Sequence, residues 1–141
     1  MVTARNSRED VIAAAGRLFA ARGYHGTSMR DLGRELGLHG SSLYSHVTSK
    51  EDLLVAVVER GAERFQASAE AALTSSGTSL ERLRSLIAGH IDVVLDHADE
   101  AKTFLDEAGS LDPDRRAVIV RARDRYEQSF RDVLAEGARE C

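Results

Sequence analysis

Apolar residues recur along this chain every three to four positions, which is the spacing of an amphipathic helix. No stretch shows the strict alternation of apolar and polar residues that is typical of a strand. The pattern predicts seven helices, and the expected fold is therefore all-α. Their approximate ranges are residues 7–22, 28–36, 41–47, 50–73, 78–95, 99–108 and 113 to near the end of the chain.

Polar cap residues and glycines indicate where these helices begin and end. A Ser, Thr or Asp side chain accepts a free N–H of the first helical turn, and glycine readily adopts the conformation that ends a helix. The predicted starts are Ser7 (with Asp10), Thr48 (with Glu51) and Asp112 before Pro113, and the predicted stops are Gly23, Gly37 and Gly109.

Two short helices and a tight turn lie within residues 27–50. The helix over residues 28–36 is followed by Gly37 and by the short helix over residues 41–47, while the first helix can pack behind both. This is the order of a helix-turn-helix, whose second helix enters the DNA major groove. The pattern predicts a DNA-binding domain over residues 1–50, followed by a second helical domain over residues 51–141.

The distribution of charge agrees with this division. The chain has a net charge of −4, but residues 1–50 carry seven Lys and Arg against four Asp and Glu, whereas residues 51–141 carry twelve against nineteen. Because residues 1–50 are basic and the rest of the chain is acidic, the charge favours contact with phosphate at residues 1–50.

Several other classes of function find no support in the sequence. The single cysteine, Cys141, cannot form an intrachain disulfide, which fits a reducing cytoplasm. The longest apolar run, from Leu53 to Val58, is too short to cross a membrane. His90 and His97 lack the further ligands of a metal site, and no nucleophile with a base or phosphate-binding loop is present. We therefore expect a cytoplasmic protein that is not an enzyme and needs no cofactor or metal.

The residue identities in the helix-turn-helix segment are more specific than the spacing of its helices. It reads LFAARGYHGTSMRDLG, then Gly37-Leu38, then Leu43, Tyr44 and His46, then SKEDLL over residues 49–54. These elements resemble the N-terminal domain of the TetR family of bacterial transcriptional regulators, over about fifty residues. The resemblance implies a homodimeric repressor that binds palindromic operator DNA and is released by a small-molecule effector. It also implies that residues 51–141 are a helical ligand-binding domain, incomplete relative to the family.

The resemblance also implies roles for individual residues. Thr27 and Lys50 match positions that contact phosphate, and Tyr44 and His46 match a pair on the recognition helix. Ser41 and Ser42 lie on the first turn of that helix, where hydroxyls can reach base edges. The full predicted set of DNA-contacting residues is Thr27, Arg30, His39, Gly40, Ser41, Ser42, Tyr44, His46 and Lys50.

Alternatives stay open for part of this set. Thr27 could only cap its helix, Tyr44 could pack inward, and Arg30 could form a solvated ion pair. His39 and Gly40 depart from the small hydroxyl and the lysine that the family often has there, so an operator sequence cannot be transferred from relatives. Gly33 and Gly40 each weaken a helix by roughly 0.5–1 kcal/mol relative to alanine.

The segment from His97 to Arg139 resembles the ligand domains of TetR members that sense acyl-CoA thioesters. Under this resemblance, an apolar stripe would line an acyl pocket, and arginines of the seventh helix, Arg123 among them, would meet coenzyme phosphates unless they only form a solvated face. The predicted ligand-binding residues are Ile91, Val94, Phe104, Ile119 and Tyr126.

The resemblance implies two further helices after residue 141, which form the four-helix bundle of the family's dimer. On this basis the chain is expected to be a fragment and a poor or non-native dimer. A second function therefore stays open: a small-molecule or acyl-CoA binding protein whose DNA-binding head is silent.

Overall fold

The computed structural model describes residues 7–141, with only the backbone described at residues 40 and 108. Over this range the chain forms seven α-helices and a short 3-10 turn, without a strand. The all-α prediction is confirmed. The helices are α1 Arg8–Arg22, α2 Met29–Leu36, α3 Gly40–Tyr44, α4 Lys50–Leu73, α5 Ser79–Asp96, α6 Ala98–Asp106 and α7 Pro113–Glu140, with the 3-10 turn at Ala108–Ser110.

Most of the predicted helix ends are confirmed. The side chains of Ser7 and Asp112 each accept the backbone N–H three residues on. Gly37 ends α2 with φ of 69°, a left-handed conformation that glycine adopts without steric cost. The prediction for α4 was wrong by one residue, because Ser49 rather than Thr48 is the cap and accepts the N–H of Asp52 at 3.0 Å.

The apolar core extends into the head of the protein, α1 to α3. Phe19 of α1, Leu32 of α2 and Leu43 of α3 are all buried. Val47, just after α3, is buried with them, and the ring of Tyr24 packs edge-on against Phe19 at 5.4 Å between centroids. This core holds α3 against α1 and α2, so its opposite side faces solvent.

The body is built around α4, which packs against α1, α5, α6 and α7. Leu53, Leu54, Val57 and Val58 in the first half of α4 are fully buried. Because α4 contacts α1 as well as the helices of the body, the head and the body share continuous packing through this helix.

An aromatic cluster occupies the core of the body. Phe65 of α4 has no exposed surface, and its ring lies 4.9 Å from His90, 5.4 Å from Phe104 and 5.1 Å from Tyr126 between ring centroids. The hydroxyl of Tyr126 lies 2.9 Å from Nδ1 of His90, which gives this buried polar group a partner.

Burial raises the pKa of Tyr126 to about 12 from its ordinary value of 10.0. The folded state therefore holds its phenol proton more tightly than the unfolded chain does. Stability from this difference is fully present below pH 10 and is lost as the pH rises towards 12. We expect a loss of about 2–3 kcal/mol in the free energy of unfolding across this interval, measured by urea denaturation at a series of pH values.

The variant Tyr126→Phe should lack this part of the alkaline loss, whereas Tyr44→Phe, at a half-exposed ring, should keep it. Equal alkaline slopes for Tyr126→Phe and the wild-type chain would contradict the assignment.

No helix between residues 7 and 141 combines the length and the apolar composition that crossing a bilayer requires.

Candidate DNA-binding surface

Helix α3 presents its polar residues outward. It has only five residues, and Leu43 on its inner side anchors it in the core of the head. Ser41, Ser42 and Tyr44 are exposed, with half of the surface of Tyr44 open to solvent. We refer to these three residues as the recognition surface. A short anchored helix with exposed hydroxyls is the form of element that fits a major groove.

A groove of about 540 Å³ separates α2 from α3 on the same side of the head. Arg30 of α2, His39 before α3 and Tyr44 of α3 line it, so the structure brings three of the predicted DNA-contacting residues together. Arg30 and His39 are exposed, and His46 beyond α3 is half-buried. Gly40 is the first residue of α3.

Gly33 has a packing role that its helix propensity does not indicate. A Cβ built there would lie 2.8 Å from the carbonyl oxygen of Leu38, closer than real side chains come. The backbone N–H of Leu38 donates to the carbonyl of Gly33 at 2.8 Å. The glycine therefore allows the turn between α2 and α3 to lie directly on α2.

The structure corrects the role predicted for Thr27. Its side chain is 1% exposed, and its hydroxyl donates to the carbonyl of Gly23 at 2.9 Å and lies 3.2 Å from that of Leu18. Thr27 therefore fixes the loop between α1 and α2 and does not present its side chain to a phosphate. It is not the cap of α2 either.

The exposed hydroxyl at the start of α2 belongs to Ser28, which was not predicted. Ser28 and Asp31 form a reciprocal capping box: the Ser28 hydroxyl accepts the N–H of Asp31 at 3.0 Å, and the Asp31 carboxylate accepts the N–H of Ser28 at 2.9 Å. The sequence contains the signal, a serine three residues before an aspartate, but the adjacent threonine obscured it.

The arginines of the head differ in whether they form ion pairs. Asp31 lies 3.7 Å from Arg22 and 3.4 Å from Arg34 and so pairs with both. The hydrogen bonds from Ser28 lower the pKa of the Asp31 carboxyl, and the two arginines add to this effect. Within residues 7–141, Arg30 forms no ion pair, and its charge is available to a ligand in the groove.

Lys50 begins α4, half-buried beside the head. Its Nζ lies 4.2 Å from the centroid of the Tyr24 ring, which is a cation–π distance. Burial raises the pKa of the Tyr24 phenol, and the neighbouring Glu51 carboxylate raises it further. The first turn of α4 is thus held to the end of α1, and the ammonium is placed at a helix N-terminus, where backbone N–H groups also favour anions.

The predicted ligand-binding residues do not form one pocket. Ile91 and Val94 lie on the outer side of α5, where Ile91 is half exposed. Phe104, Ile119 and Tyr126 are buried in the packed core of the body. A helix with apolar residues on two sides places one set inward and the other outward, so spacing along α5 did not identify the inner side.

Arg123, considered above for a coenzyme phosphate, has an internal partner instead. Its Nε donates to the carbonyl of Phe104 near the end of α6 at 2.9 Å. Burial lowers the pKa of this guanidinium. Arg123 therefore joins α7 to α6, while Arg121 and Arg125 are exposed.

Two family profiles match the chain. The profile described as "Bacterial regulatory proteins, tetR family" matches residues 11–57, and "Tetracyclin repressor-like, C-terminal domain" matches residues 76–140. The first match contains α2 and α3, and the second contains α5 to α7.

Individual relatives resemble nearly the whole chain. PfmR of Thermus thermophilus, a TetR family regulator of known structure, is 31% identical, with a TM-score of 0.85 over 92% of this chain and 71% of PfmR. The transcriptional repressor KstR2 of Mycobacterium tuberculosis is 28% identical over 96% of this chain and 68% of KstR2. AibR, solved with isovaleryl coenzyme A and operator DNA, is 25% identical, with a TM-score of 0.87 over 94% of this chain and 72% of AibR.

Proposed function

The chain belongs to the TetR family of transcriptional regulators, and from this premise we propose that it is a repressor that binds a palindromic operator and is released by a small-molecule effector. The family consists of regulators and not of enzymes, in agreement with the sequence-based expectation. The observation that carries the proposal is the outward placement of Ser41, Ser42 and Tyr44 on a helix anchored by Leu43.

In the proposed complex, α3 enters the major groove and the helices around it contact the backbone. Ser41 and Ser42 are within the first turn of α3, where their hydroxyls can donate to or accept from base edges. Tyr44, at the end of α3, and His46, just after it, would contact the same DNA groove. Two copies of the head, presented by a dimer, would read the two halves of a palindrome one helical turn apart.

Phosphate contacts are assigned to groups at helix ends and to the guanidinium of Arg30. Lys50 places its charge at the N-terminus of α4, and Ser28 places an exposed hydroxyl at the N-terminus of α2. Arg30 reaches out from the groove between α2 and α3. These contacts would set affinity and register, and α3 would supply sequence preference.

For the effector, we propose the acyl-CoA class. Support for this ligand class comes from AibR, whose structure contains isovaleryl coenzyme A, and from the resemblance of residues 97–139 to acyl-CoA-sensing members. Because Phe104, Ile119 and Tyr126 are packed, a ligand among them would have to open the body. Such opening would change how the body holds the two heads and so disfavour operator spacing.

Selection of duplexes from a random-sequence library tests the DNA-binding proposal, and the enriched duplex then serves as the probe for variants. We expect Lys50→Ala to weaken binding roughly 5- to 10-fold on every sequence, because it removes one phosphate contact. The slope of log affinity against log salt should become shallower by about 0.9 for each phosphate that is no longer neutralised. Fluorescence anisotropy at several salt concentrations measures both quantities.

Arg84→Ala is the matched control, since it removes one positive charge from an exposed position on α5. It should leave affinity within about twofold, because screening weakens charges that are more than a Debye length from the DNA. A Lys50→Ala effect confined to one base position would contradict the phosphate role. Failure to enrich any duplex would contradict the proposal itself and favour a small-molecule binding protein with a silent head.

A further inference from the structure

Arg115, in the first turn of α7, contacts Asp52, in the first turn of α4. Its Nε lies 3.0 Å and its Nη2 2.9 Å from Oδ1 of Asp52. The two residues are 63 positions apart in the sequence, so the contact exists only because the fold brings the beginnings of α4 and α7 together.

The two carboxylate oxygens of Asp52 contact different parts of the chain, α7 and the segment just before α4. Oδ1 receives Arg115, whereas Oδ2 accepts a hydrogen bond from the hydroxyl of Thr48. The backbone N–H of Asp52 donates to the Ser49 hydroxyl at 3.0 Å. The hydrogen bond from Thr48 and the contact with Arg115 together lower the pKa of the Asp52 carboxyl. The carboxylate of Asp52 therefore holds Thr48, and the backbone N–H of Asp52 is capped by Ser49, so that Asp52 contacts both residues that precede Lys50.

The guanidinium of Arg115 is itself held in place by the cap of α7. Asp112 accepts the backbone N–H of Arg115 at 2.9 Å, and its second oxygen accepts from Nη1 of the same residue. Asp112 thus occupies one side of the guanidinium and leaves Nε and Nη2 directed at Asp52. The cap of α7 orients Arg115 towards the head.

We propose that Arg115 is a positioning residue for DNA binding, which acts through Asp52 to hold the segment from Thr48 to Lys50 in the conformation that meets phosphate. This inference rests on the proposed function. Arg115 neutralises a carboxylate two residues from Lys50 and fixes its rotamer. Without Arg115, the uncompensated charge of Asp52 repels phosphate, and Thr48 loses a fixed partner for its hydroxyl.

A double-mutant cycle tests this role, because it shows whether Arg115 acts through Asp52. Arg115→Ala, Asp52→Ala and the double variant are compared for binding to the duplex enriched by the wild-type chain. We expect Arg115→Ala to weaken binding roughly tenfold in the wild-type background. In the Asp52→Ala background the same substitution should change affinity by less than about twofold, since its target is gone.

The controls separate positioning from charge and from folding. Arg121→Ala removes an exposed arginine six residues further along α7 and should leave affinity within about twofold. Arg115→Gln keeps most of the side-chain length and should lose the same factor as Arg115→Ala. Circular dichroism and thermal unfolding verify that each variant is folded, and Arg115→Gln replaces Arg115→Ala in the cycle if the alanine variant is not.

Each result of the cycle decides the proposal. An equal loss in both backgrounds would show that Arg115 contacts DNA directly, and no loss in either would show that it does not affect the phosphate-contacting segment; both overturn the inference while the proposed function stands. If the wild-type chain enriches no duplex, the proposed function fails and this inference falls with it.

Discussion

Replacing Phe65 with alanine is expected to lower the free energy of unfolding by about 3–5 kcal/mol. The ring has no exposed surface and touches rings from three other helices: His90 of α5, Phe104 of α6 and Tyr126 of α7. Its loss leaves a cavity where four helices meet. Since domains of this size are stable by only about 5–15 kcal/mol, the variant would be marginally folded at ordinary temperatures. Urea denaturation followed by circular dichroism measures the loss.

Leu95→Ala is the control for Phe65→Ala, because 72% of Leu95 is exposed and its truncation opens no cavity. Its free energy of unfolding should stay within about 0.5 kcal/mol of the wild-type value. A loss of less than about 1 kcal/mol for Phe65→Ala would mean that the aromatic cluster is not the centre of the body's core.

The number and approximate extent of the helices could be predicted from the sequence because helical periodicity and caps are local signals. Ser7, Gly37 and Asp112 are found at the helix ends assigned to them. The error at α3, which ends at Tyr44 rather than near Val47, has a local cause. Val47 is buried like a residue of the helix, but Ser45 and His46 donate to carbonyls three residues back in a tighter turn.

The orientation of neighbouring hydroxyls could not be predicted, because tertiary contacts decide it. Thr27 and Ser28 are adjacent and both can cap a helix. Thr27 is turned inward by the carbonyl of Leu18, nine residues earlier, and Ser28 is left at the surface. The outward placement of Ser41 and Ser42 was predictable because Leu43 and Val47 identified the inner side of the helix predicted over residues 41–47.

The body was harder to interpret than the head for a related reason. Helix α5 has apolar residues on two sides: Leu86 and Val93 are buried, whereas Ile87 and Ile91 are half exposed. Periodicity alone therefore could not choose which of them faces the core. The contact between Arg115 and Asp52 has no local signal at all, because it depends on how α7 returns to α4.

Replacing Gly61 with valine is expected to lower the free energy of unfolding by about 3–4 kcal/mol, because overpacking outweighs the small gain in helix propensity over glycine. A Cβ at this position of α4 would lie 2.6 Å from the carbonyl oxygen of Glu100 and 2.9 Å from Cβ of Phe104. Helix α6 must then move away from α4. Thermal and urea denaturation of the purified variant measure the effect.

The movement is costly because α6 is held from three directions. Lys102 donates to the carbonyl of Ala20 in α1 at 2.9 Å, and Glu100 pairs with Arg64 of α4 at 2.7 Å. Arg123 of α7 donates to the carbonyl of Phe104. A shift of α6 therefore breaks contacts with the head and with both long helices of the body.

The matched pair for this prediction is Gly61→Ala and Gly16→Ala, two substitutions of a buried glycine within a helix. A Cβ at Gly16 of α1 would lie 3.7 Å from Cγ1 of Val57, an ordinary contact distance. Gly16→Ala should therefore stabilise the protein by about 0.5–1 kcal/mol through helix propensity, whereas Gly61→Ala should destabilise it by about 1–3 kcal/mol. Stabilisation by Gly61→Ala, as at Gly16, would show that α6 does not rest on the backbone of α4.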